Sequence, residues 1–190
     1  MKFLSLFFYC FILISCQKTV GDDTDFSYYN LKNTGWKSKN HTVNIDNFSF
    51  VATEVPILYY IAESEGEENQ EIIEEVYSKL KTQRIIEFVI ENKSHKDLFD
   101  RTHTNIDYAE AVAYFSSTIQ DDFFVLTSEN DTISCVGILF ERTFKLTPYK
   151  KILLYFDPIN PDQEIELVYR DHLFNKGEIR YKFNNHLIKL

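Results

Sequence analysis

Cysteine is scarce in this chain, and its scarcity excludes a small disulfide-knit scaffold. Of three cysteines, Cys10 and Cys16 fall within the first sixteen residues, which leaves Cys135 alone in the rest. No Cys-x-x-Cys pair is present to suggest a zinc or redox site. Glycine is scarce too, with five residues in all. They form neither a phosphate-cradling loop nor a Gly-x-Ser-x-Gly elbow, and no His-Glu-x-x-His occurs. Four prolines punctuate the sequence and no internal repeat is visible. Apolar runs are short: Phe3 to Ile14, broken by Ser5, would reach only ~18 Å as a helix against a ~30 Å hydrocarbon core. Basic excess is also missing. The net charge is −9, a balance repelled by nucleic acid and by anionic lipid.

What is present begins with the leader. Met1 and Lys2 supply a minimal positive start, Phe3–Ile14 an apolar region, and Leu13-Ile14-Ser15-Cys16 a small residue just before a cysteine. This segment resembles the lipobox signal peptides of bacterial lipoproteins. The resemblance implies cleavage before Cys16, a thioether-linked diacylglycerol on its sulfur and a further amide-linked acyl chain. Two or more chains hold a protein stably on a membrane without a spanning helix. The expected organisation is then a signal peptide over 1–15, lipidated Cys16 with a flexible acidic tether over 16–35, and one globular domain over 36–190. The stretch around Asp22, Asp23 and Asp25 is too polar to fold by itself. It resembles the surface-export signals of Bacteroidota lipoproteins, and Asp131-Thr132-Ile133 resembles the O-glycosylation acceptor of that phylum. The expected location is the outer membrane, on its periplasmic face or the cell surface.

The remaining length suits one domain with a substantial core, and 17 Phe and 12 Tyr supply bulky apolar surface. Alternation predicts strands at Val43–Ile45, Phe48–Phe50 and Ile86–Ile90, and a short apolar run predicts a buried strand over Ile57–Ala62. A helix is expected from about Glu67 to Lys81, with Ile72, Ile73, Val76, Tyr77 and Leu80 on one stripe. A second is expected from Asn105 to Gln120, with Thr104 and Asp107 at capping-box spacing. Strands then follow at Phe123–Thr127, Ile133–Arg142, Lys151–Phe156, Ile165–Arg170 and Ile179–Phe183. The class is α+β: a mainly antiparallel sheet with two packed amphipathic helices. The alternative is a β-sandwich carrying a helical insertion.

Candidate chemistry is thin. His95, Asp97, Asp100 and His103 share one segment, but Lys96 and Arg101 oppose a cation and the spacing fits no ligand pattern. Cys135 lies inside a strand pattern and reads as a small buried hydrophobe. Asp157, Asn160 and Asp162 read as a turn rather than a calcium loop. Tyr28, Tyr29 and Trp36 stand near the tether as candidate recognition aromatics. The only site residue assigned is Cys16, for lipidation; no catalytic, cofactor or metal residue is assigned. The function expected is a non-enzymatic, lipid-anchored accessory protein of the cell envelope, held to the membrane through Cys16 and acting on a protein partner. The alternatives are a small-ligand or glycan binder, and a hydrolase using carboxylates or Cys135.

Overall fold

The computed structural model describes residues 28–31, 36–65, 70–94, 97–143, 146–160, 162–184 and 188–189. Cys16, the leader and most of the expected tether lie outside the described residues, as do His95 and His186. Eleven strands and three α-helices run along the described chain. The strands are β1 (Tyr28–Leu31), β2 (Trp36–Ile45), β3 (Phe48–Val55), β4 (Arg84–Asn92), β5 (Phe123–Thr127), β6 (Thr132–Ser134), β7 (Gly137–Glu141), β8 (Tyr149–Phe156), β9 (Ile165–Asp171), β10 (Gly177–Phe183) and β11 (Ile188–Lys189). The helices are α1 (Ile57–Glu65), α2 (Gln70–Leu80) and α3 (Tyr108–Ser116), the last followed by a 3₁₀ turn over Thr118–Asp122. Every strand pairing is antiparallel. The α+β class therefore holds. β1 lies within the stretch expected to be tether.

Two sheets form rather than one. The larger runs β1-β2-β3-β4-β8-β7, with β11 also on β2, and the smaller runs β10-β9-β5-β6. Their inner faces meet as in the sandwich alternative. Phe88 on β4 touches Phe123, Tyr169 and Tyr181 of the smaller sheet at centroid distances of 4.9, 5.2 and 6.0 Å. The Tyr181 hydroxyl donates to Phe50 O at 3.2 Å, tying β10 to β3. Alternation makes this possible: Ile86, Phe88 and Ile90 on β4 and Ile152, Leu154 and Phe156 on β8 all point inward and are fully buried. The smaller sheet covers part of that inner face, and α3 fills beside it, with Phe115 packed on Phe99 and on Phe140 of β7.

Three local expectations are corrected. Ile57–Ala62 is helical, opening α1 rather than a strand. Pro56 stands just before it and its carbonyl accepts Tyr60 N at 3.0 Å, closing the first turn. A short apolar run does not distinguish a strand from a buried helix. The second expected helix starts one turn later than Thr104. Asp107 is the actual N-cap, accepting Glu110 N at 2.9 Å while Glu110 Oε2 accepts Asp107 N at 3.2 Å. The Thr104 hydroxyl instead donates to Ile106 O. Finally, Ile133–Arg142 is not one strand. Cys135 N donates to Phe123 O in the smaller sheet, and the next amide, Val136 N, donates to Tyr155 O in the larger one. The chain changes sheets at that corner, as strands do at the edges of stacked sheets.

Candidate functional site

The sequence-predicted chemistry disperses in the fold. Asp97 Oδ1 accepts Phe99 N and Asp100 Oδ1 accepts Thr102 N, both at 2.8 Å, so these carboxylates close their own turns. His103 stands edge-on to the Phe48 ring, 5.8 Å away. Asn160 Oδ1 likewise caps Asp162 N, and Asp157 accepts the Thr82 hydroxyl. Cys135 is buried at the corner between sheets, its Sγ directed at Gly137 O. Burial pushes its thiol pKa up, which keeps it in the unreactive protonated form. Trp36 opens β2.

A different polar group assembles where the 3₁₀ turn, α3 and the end of β9 meet. Asp122 is buried and accepts the Tyr114 hydroxyl and His172 Nδ1, the latter at 2.7 Å. The His172 ring is otherwise 68% exposed, so Nε2 faces water while Nδ1 is held by a carboxylate. Such a pair has the orientation of a general base. No nucleophile stands beside it among the contacts of the described residues. Next to it, Asp171 is buried and saturated. Its Oδ1 accepts the Tyr169 hydroxyl and the amides of Leu173 and Phe174, and its Oδ2 accepts Lys176 N. That carboxylate shapes the β9–β10 loop, whose Asn175 and Gly177 adopt φ of 56° and 80°.

These phenols are shifted in one direction. Burial, followed by Asp122, raises the Tyr114 pKa; burial, followed by the Asp171 charge, raises Tyr169; burial alone raises Tyr181. Unfolded tyrosines ionise near pH 10. The stabilisation from keeping these three neutral is thus complete below about pH 10 and is lost as pH rises above it. The expected result is that their tyrosinate absorbance grows together with loss of tertiary circular dichroism. Ionisation of all tyrosines near pH 10 with the fold intact would contradict the buried assignment.

An open cleft of about 650 Å³ lies beside α3, lined by Asp97, Phe99, Asp100, Arg101, Tyr108 and neighbouring residues. Behind it Lys150 is buried. Its Nζ lies 3.2 Å from Thr143 Oγ1, 3.8 Å from Asp97 Oδ2 and 5.2 Å from the Phe99 centroid. Burial lowers the Lys150 pKa, and Asp97 opposes that shift.

The surface feature that stands out lies across the molecule's β7 edge. Among the described residues the large exposed apolar ones are Ile72, Val136, Leu139, Leu146 and Tyr149, and all but Ile72 fall between the entry to β7 and the first residue of β8. Leu139 is 58% exposed and Leu146 85%. Sequence reading could not find this patch, because which strand ends a sheet is decided by pairings far apart in the chain. Compared with protein-family models, characterised proteins and solved structures, the chain has no match.

Proposed function

We propose that this protein is a lipid-anchored accessory protein of the bacterial cell envelope, acting by binding a macromolecule rather than by catalysis. The observation that carries the binding half is that, among the described residues, four of the five large exposed apolar side chains fall in one stretch of chain, Val136 to Tyr149. Soluble surfaces seldom group such residues without an interaction to use them. The anchoring half rests on Leu13-Ile14-Ser15-Cys16 and the short apolar run before it. Removing the leader takes away Lys2 and no acid, so the exported domain is still more acidic than the whole chain. That charge favours basic or neutral partners over the membrane surface itself.

Cys16→Ala tests the anchor. The full chain should incorporate a labelled fatty acid when Cys16 is present and lose the label on substitution, with the domain passing from the membrane to the soluble fraction. Its thermal midpoint should not move, because the polar, acidic stretch after Cys16 is expected to serve as a tether outside the core. Continued fatty-acid labelling of the Cys16→Ala chain would refute the assignment.

A further inference from the structure

We infer that the α1–α2 pair is a docking surface for a basic amphipathic helix of another protein, which lies along α2 and completes the cover of its apolar face. Three observations carry this. The first is where the charge sits. Residues 57–80 hold seven acids and a single base, Lys79, a net −6 against −9 for the whole chain. Most of the chain's negative excess therefore belongs to two short helices and their link. Glu71, Glu74 and Glu75 of α2 are all exposed. Among the described residues Glu75 is paired with Lys79 at 2.6 Å, while no ion pair engages Glu71 or Glu74.

The second observation is the helix that carries those acids. Ile72, Ile73, Val76, Tyr77 and Leu80 recur at the spacing of one apolar face. A helix of this length is marginal by itself and depends on covering such a face. α3 does so by sinking Ala111 and Phe115 into the core. α2 sinks none of its five: Ile72 is 38% exposed and the other four are only half-buried. Its main neighbour is α1, which leans on the large sheet through Tyr60 and Tyr155. The rim of the stripe that bears Ile72 is left open. Glu75 follows Ile72 by three positions and so stands beside it on the helix surface. Apolar surface and negative charge meet there.

The third is the fit of the occupant. A guest helix lays its apolar stripe along such a face, and the charges flanking the stripe select the guest. The acids of α2 call for lysine and arginine on either side of the guest's stripe. The same charge turns away the other occupants. Anionic lipid and nucleic acid are repelled, and a second copy would set one acidic helix pair against another. The chain's own stretch around Asp22, Asp23 and Asp25 is acidic as well. This inference goes beyond the role proposed above, since it stands on fold and charge alone and holds whether or not Cys16 is lipidated.

The test uses the full chain purified from cells and, as probe, a helical peptide of lysine and leucine with every leucine on one face. A scramble of the same composition is the comparison. The amphipathic peptide should bind about tenfold or more tightly than the scramble, bind less tightly as salt rises, and slow amide exchange in α2. Glu71→Gln, Glu74→Gln and Glu75→Gln together should weaken binding about tenfold or more, and Ile72→Ser should weaken it too. Glu129→Gln, Asp131→Asn and Glu164→Gln remove as much charge from exposed positions around the β5–β6 turn. That control should leave binding within about twofold. Exchange protection in the unsubstituted chain decides the matter if a substituted helix frays. No binding, equal affinity for the scramble, equal weakening by the two sets of substitutions, or protection confined to segments other than α2 would each overturn the inference.

Discussion

Asp171→Ala is expected to lower the folding stability by about 4 kcal/mol or more, because it strands several buried donors at once. The carboxylate accepts the Tyr169 hydroxyl and the amides of Leu173, Phe174 and Lys176. Tyr169, Leu173 and Phe174 are themselves buried, so water cannot readily replace the lost acceptor. The loop also depends on it geometrically. Asn175 takes a positive φ, which asparagine adopts more readily than other non-glycine residues, and the Phe174 and Lys176 amides on either side of it are both held by this carboxylate. Asp171→Asn keeps one oxygen and should cost roughly half as much, with Lys176 N the amide most affected. Urea denaturation with two probes measures both. A loss below ~1 kcal/mol for the alanine variant would mean that the network is not the clamp described.

Phe88→Ala should cost about 3–5 kcal/mol, the range for removing a fully buried aromatic ring whose site cannot collapse. Phe88 has no exposed surface and meets rings from three strands of the facing sheet. Val89, the next residue, points to the outer face and is half-buried. Val89→Ala should therefore cost under ~1.5 kcal/mol. The contrast between neighbours is the useful quantity, since both sit on the same central strand with the same backbone pairing. Equal losses would contradict the assignment of inner and outer faces, and with it the stacking of the two sheets. The inner face also explains the chain's aromatic content: Phe123 stacks on Tyr169 at 4.5 Å, and Phe50 reaches Tyr169 at 6.3 Å.

Much of the secondary structure was legible because burial imposes a period on the sequence. β5 falls where alternation places it, β9 is one residue longer than expected, and α2 occupies the core of its expected span. The failures share a cause. At Ile57 and at Cys135 the local pattern is compatible with a strand, and long-range packing decides otherwise. α1 lies near the outer face of the large sheet, where Tyr60 and Tyr155 bring their hydroxyls within 3.3 Å. The corner at Cys135 is held on either side by strands from different sheets. The polar network was illegible for a similar reason. Asp122 and His172 are 50 positions apart, and each alone is an ordinary residue. Lys150 reads as a solvated charge at the start of a strand, yet alternation turns it inward with Ile152 and Leu154. The position of β7 at the sheet edge follows from the β4–β8 pairing, which no local signal announces.

The measurement that bears most directly on the proposed tethered binding role is chemical cross-linking of the full chain in cells, beside the Cys16→Ala form at matched abundance. The account predicts a discrete adduct of fixed stoichiometry, formed by the anchored chain and strongly reduced when Cys16 is replaced. On the proposed reading, anchoring through Cys16 raises the effective concentration of the chain and its partner, so losing the anchor removes the complex without touching the interface. The contradicting result is a chain that yields only diffuse background with several cross-linkers and behaves identically with or without Cys16.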